Sequence, residues 1–330
     1  MKPPRRTFLR LAAGAAALPA MSRIARAQTY PARPVTIIVP FAAGGPTDVT
    51  ARIIGEHMSR TLGQQFIVEN VVGAGGTTGS IRAMRANPDG YTIELGQLGT
   101  HAAAVAVYPN LAYRPDVDFA PIGIVVDQAI LIVARKTLPP NNLMEFADYL
   151  KTNADKMNMA HAGVGSITHF TGLLLNSIVG VRPTLVPFTG SAPAITALIT
   201  SQVDYMCDPI SDIVQQVQAG TLKTYAVGTT ERSAALPDIL TSREAGMPEF
   251  QVSAWYGLFA PKGTPKPILD MLTDALNKAL DDPTVRKRLT ELGCDIPYKA
   301  RRGQEQLATL VRSEIARWTP IIKAVDVKPE

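Results

Sequence analysis

Short apolar, β-branched runs alternate along this chain with stretches of helical period. Residues 35–40 (VTIIVP) read as a first strand. Residues 47–62 read as a helix whose Val49, Ile53, Ile54, Met58 and Leu62 share one broad face. Strands at 66–72 and 91–96 follow, with a short helix over 78–86 between them. A β-α-β-α-β order predicts an α/β protein, with a parallel sheet covered by helices through right-handed crossovers.

The pattern then restarts. Strands at 130–134, 157–162, 184–187, 203–207 and 224–228 alternate with helices at 143–152, 168–179, 192–200 and 213–219. After a strand at 255–261 the chain reads as helical over 267–281, 283–292 and 304–325, with no sheet of its own to cover. Returning that tail to the first sheet predicts a discontinuous first domain, residues 28–128 plus 251–330. A second domain, 129–250, is inserted in it, and the two crossing segments form a hinge. Ligands in such folds lie between the domains, at the carboxyl ends of the strands.

Charge changes the picture at the N-terminus. The 33 Lys and Arg exceed the 28 Asp and Glu by five, but six bases fall within residues 1–27, which hold no acid. The remainder carries 27 bases against 28 acids, so no electrostatic case for nucleic acid or an anionic membrane survives. Arg5-Arg6 followed by Phe8-Leu9-Arg10, a short apolar stretch and Ala25-Arg26-Ala27 read as a twin-arginine export signal cleaved after Ala27. The apolar stretch is too short to span a bilayer. The mature chain is therefore expected to be soluble and periplasmic. Cys207 and Cys294, the only cysteines, read as separate thiols.

Three strand-to-helix junctions carry the candidate chemistry. The first, PFAAGGPTD over 40–48, places Phe41, Ala43, Gly44, Gly45, Thr47 and Asp48 at a helix start, where glycines let a ligand approach and free N–H groups attract an anion. Asp48 suits a cap, a held water or a pair with Arg52 one turn on. The second offers Gly165, Ser166, Thr168 and His169, and the third Thr189, Gly190 and Ser191. Three anion-friendly helix starts split between two domains predict a clamp for a small carboxylate built from neutral donors. Enzyme readings fare worse. Neither Gly73-Ala74-Gly75 nor Gly163-Val164-Gly165 completes a dinucleotide loop, and no phosphate loop or nucleophile elbow occurs. The four histidines lack metal spacing, so no metal, cofactor or catalytic residue is expected.

The segments YPARPVTIIVPFAAGGPTDVTAR, ENVVGAGGTTGS, NPDGYTIELG, HAGVGSITH, VPFTGSAPAITALITSQVDYMCD and SAWYGLFAPKGTP resemble the substrate-binding proteins of tripartite tricarboxylate transporters, the Bug family, across nearly the whole mature chain. That resemblance implies a two-domain periplasmic-binding-protein fold of the second type with the ligand cleft between domains. It also implies a carboxylate ligand held partly through waters and a two-subunit membrane permease as partner. Carried over by position, it adds Gly99, Thr100, His101 and Asp208 to the ligand contacts. Where the family often has Tyr-Lys-Gly, this chain has Phe188-Thr189-Gly190, without the phenol and the ammonium. The expected molecule is a monomeric receptor for an aliphatic di- or tricarboxylate or an aromatic carboxylate, and it does no catalysis. The competing readings are a binding protein reporting to a sensor kinase and a hydrolase or lyase reusing the fold.

Overall fold

The structure, a computed structural model, describes residues 30–324. Its strands are β1 (Val35–Val39), β2 (Phe66–Asn70), β3 (Thr92–Gln97), β4 (Phe119–Arg135), β5 (Asn158–His161), β6 (Thr184–Pro187), β7 (Tyr205–Pro209), β8 (Leu222–Val227), β9 (Ser253–Pro261) and β10 (Cys294–Asp295). Between them run α1 (Pro46–Leu62), α2 (Thr77–Met84), α3 (Ala104–Val107), α4 (Leu143–Asn153), α5 (Ile167–Val179), α6 (Ser191–Ile199), α7 (Ile210–Gln218), α8 (Lys266–Asp281), α9 (Pro283–Glu291) and α10 (Gln304–Ala324). The expected export signal, residues 1–27, lies outside the described residues. Among those described, no helix is long and apolar enough to cross a membrane.

The sheet runs β2-β1-β3-β9-β4-β7-β5-β6, with β8 and β10 also on β4. β1 is parallel to both neighbours, as the alternating pattern requires. β9 is antiparallel between β3 and β4, so the late strand returns to the early ones. β4 serves both halves: Phe119 to Ala129 pairs with β9, and Ile130 to Arg135 with β7 and β8. Sequence reading finds only the second stretch of this strand. Pro121 and Gly123 act as breakers in the pattern, and the ladder absorbs them with a register shift between those two residues.

α1 begins where it does because Gly45 is extended (φ −78°) and Pro46 occupies the first helical position. Its Ile53, Ile54 and Met58 pack into the core with Ile37, Ile38 and Val39 of β1. The result is that three strand-to-helix junctions, before α1, α5 and α6, converge on one place.

Candidate functional site

The junction before α1 is held rigid from within. Arg52 Nε and Nη2 each donate to an Asp48 carboxylate oxygen at 2.9 Å, and Gly44 N–H donates to the same carboxylate at 2.9 Å. Asn70 Nδ2 bridges Asp48 (3.0 Å) and the Phe41 carbonyl (2.9 Å). Burial pushes the Asp48 carboxyl up, but Arg52, the Gly44 N–H and Asn70 outweigh it and hold the group below its ordinary range. Asp48 is thus spent on shaping the loop.

The junction before α5 is closed by hydroxyls. Ser166 caps the helix by accepting from His169 N–H at 3.3 Å and donates its single hydrogen to the Gly163 carbonyl at 2.7 Å. Thr168 accepts from Ala162 N–H at 2.7 Å. Because the Ser166 hydrogen is used, Thr168 is the donor in their 3.0 Å contact. The junction before α6 has Gly190 at the cap, and Ser191 donates to Asp208 Oδ1 at 2.9 Å. Neither Gly45 nor Gly190 provides a side-chain cap, so the first-turn N–H groups of α1 and α6 stay available.

A cavity of about 50 Å³ lies among these junctions. Of the residues singled out in the sequence, Phe41, Ala43, Gly45, Thr47, Ser166, Thr168, Gly190 and Ser191 line it. Among the described residues, no charged side chain lines it. An anion there meets amide N–H groups and the positive ends of helices.

The other sequence candidates lie outside the lining. Gly44 and Asp48 stand behind the first loop. Thr189 edges an open depression beside the cavity with Gly75, Tyr108, Gly163 and Val164. Gly165 N–H donates to His169 Nδ1 at 3.3 Å, and the His169 ring lies 4.4 Å from that of His161, so this histidine ties down its own loop. Asp208 supports Ser191 from below. His101 is fully enclosed, stacked 3.9 Å from Phe259, in the space that the absence of a side chain at Gly96 leaves. Its Nε2 is 3.8 Å from Glu94 Oε2, and burial pushes Glu94 up to about 8 and His101 down to about 3. Both are neutral at pH 7.

Three lining residues escaped sequence reading, Gln97, Pro209 and Tyr256. Gly99 N–H donates to Gln97 Oε1 at 3.0 Å, which fixes the amide and leaves Nε2 for the cavity. Thr100 closes the same turn, accepting from Gln97 N–H and donating to the Gln97 carbonyl, both at 3.2 Å. Gly99 and Thr100 therefore act through Gln97. Tyr256 is buried, with its hydroxyl against that of Thr47. The halves also touch in the neighbouring depression, where Tyr108 Oη donates to the Val164 carbonyl at 3.1 Å.

Comparison with known proteins places this geometry. Residues 50–327 match the model of the tripartite tricarboxylate transporter family receptor. MatC from Rhodopseudomonas palustris, solved with bound malate, is 50% identical, with a TM-score of 0.86 over 89% of this chain and 100% of that one. The periplasmic binding protein BugD is 43% identical, with a TM-score of 0.86 over 91% of this chain and all of its own. A second R. palustris protein, solved with adipate, is 30% identical, with a TM-score of 0.86 over the same shares. The α/β fold is that of periplasmic solute-binding proteins, and the chain belongs to the tripartite tricarboxylate transporter receptor family, as a Bug-type solute-binding protein.

Proposed function

We propose that this protein is a periplasmic receptor that closes on a compact aliphatic dicarboxylate and delivers it to a two-subunit membrane permease, without chemical turnover. One observation carries the reading: uncapped first turns of α1 and α6, from opposite halves of the sheet, meet at one cavity that, among the described residues, no charged side chain lines. A carboxylate in a partly dry site needs compensating donors. Each hydrogen bond to a charged acceptor contributes roughly 1.5–3 kcal/mol, so N–H groups of Thr47 and Ala192 together with Gln97 Nε2 replace an ammonium. The cavity lies far below the roughly 300–1,000 Å³ of sites for drug-sized ligands, which favours a short chain. The dicarboxylates named in the MatC and adipate-bound structures agree with that class.

On this reading residues 28–128 plus 251–330 and residues 129–250 are two lobes that rock about segments near 128 and 251. The test is a thermal-shift screen of the purified protein against mono-, di- and tricarboxylates, with the matching diamides as controls. Stabilisation by a dicarboxylate and none by its diamide supports the reading. Silence across the whole panel would overturn it.

A further inference from the structure

Ser191 stands at the first position of α6 and lines the cavity. A serine hydroxyl has one hydrogen and two lone pairs, and here the hydrogen goes to Asp208 Oδ1 at 2.9 Å. Toward the cavity Ser191 therefore presents lone pairs alone. A carboxylate oxygen placed there would set acceptor against acceptor. Ser166 and Thr168 have spent their hydrogens in the same way, on the Gly163 carbonyl and on Ser166 itself. Ser191 differs from them in what holds it. Asp208 is fully buried on β7 beside Asp212 of α7, and the Oδ2 of each is enclosed.

We propose that Ser191, oriented by Asp208, accepts a hydrogen bond from a hydroxyl group of the ligand, so that the receptor selects hydroxylated dicarboxylates over their unsubstituted counterparts. The inference rests on the carboxylate reading above. A ligand ammonium could also donate to Ser191, but among the described residues no charged side chain lines the cavity to balance it. Asp208 does not serve as the counter-charge: burial and then the neighbouring Asp212 push its carboxyl up, and burial pushes Asp212 up to about 7. One proton shared by the pair leaves Asp208 Oδ1 free to accept from Ser191. A hydroxyl is the donor that brings no charge. Sites built to bond a ligand hydroxyl reject analogues that lack it, because the buried acceptor is left unpaired. In this role Asp208 is a positioning residue: it fixes the polarity of Ser191.

Titration calorimetry with L-malate, succinate and L-aspartate on the purified parent, Ser191→Ala, Asp208→Ala and Asp208→Asn decides the matter, with the malate-to-succinate affinity ratio as the readout. The parent is expected to prefer L-malate to succinate by about tenfold or more. Ser191→Ala should bring the ratio to within about threefold of unity. Asp208→Ala should do the same in folded protein, because the freed serine hydrogen turns into the cavity, whereas Asp208→Asn should keep the parent's ratio, its Nδ2 donating to Asp212 and its Oδ1 still accepting from Ser191. A merely structural defect would weaken both ligands and leave the ratio. Equal affinities in the parent, a ratio that survives Ser191→Ala, or a preference for L-aspartate would overturn the inference while leaving the carboxylate reading intact. Binding of none of the three would overturn both.

Discussion

On the two-lobe reading proposed above, replacing Gly75 by alanine separates lobe closure from folding. Gly75 lies at φ +62°, and a Cβ built there overlaps the Val164 carbonyl oxygen across the cleft and comes within 2.8 Å of the Tyr108 hydroxyl and 3.1 Å of Gly165 Cα. Two effects follow, of different kinds. A left-handed conformation at a residue with a side chain costs about 1 kcal/mol, paid equally in the open and closed forms. The overlap exists only where the halves touch, and relieving it breaks the Tyr108–Val164 hydrogen bond, which contributes about 0.5–1.5 kcal/mol. With some lost packing, closure weakens by about 1–2 kcal/mol, and dicarboxylate affinity by about five- to thirtyfold. Gly63→Ala is the matched control. Gly63 has a similar φ of +71°, ends α1, and a Cβ there would meet nothing within 4 Å. It should lose about as much stability to urea as Gly75→Ala and none of the affinity. Calorimetry and urea unfolding on both variants provide the comparison. Equal affinity for parent and Gly75→Ala, at equal loss of stability in the two variants, would show that this contact is no part of the bound form.

Three further outcomes are expected. Glu94 is raised from 4.5 to about 8, so its contribution is fully present below the ordinary value and lost as pH rises through about 8. Glu94→Gln keeps an acceptor for Ser80 and should gain about 3 kcal/mol over the parent at pH 7 and nothing near pH 4.5; a urea-unfolding difference that ignores pH would mean the carboxyl is ionised against His101. Ser166→Ala loses the cap of α5 and should cost about 1 kcal/mol of stability, with less than about tenfold loss of affinity, because its hydrogen serves Gly163 rather than a ligand; a hundredfold loss would contradict that assignment. Changing Arg5 and Arg6 to lysine should leave precursor in the cytoplasm on cell fractionation, and normal periplasmic delivery would exclude the twin-arginine route.

The three junctions were legible in the sequence because a strand, a glycine-bearing turn and a helix start are local signals, and all three contribute lining residues. The rest of the lining was not local. Tyr256 reads as strand interior, and it reaches the cavity because β9 inserts between β3 and β4. Gln97 ends a strand like many others; the Gly99 and Thr100 bonds that aim it form only when the next turn folds back. His101 illustrates the converse. A polar residue after a strand end reads as a cleft edge, but the missing side chain at Gly96 lets the ring swing under the sheet onto Phe259. Hydrogen bookkeeping is also invisible in sequence: Ser166, Thr168 and Ser191 look like donors until their partners are known.

A crystal structure of the protein with succinate tests the central claim most directly. The account predicts one carboxylate in the cavity, with its oxygens about 3 Å from the N–H groups of Thr47 and Ala192 and no lysine or arginine side chain in contact. Succinate paired with a basic side chain, or bound outside the junctions before α1, α5 and α6, would contradict it.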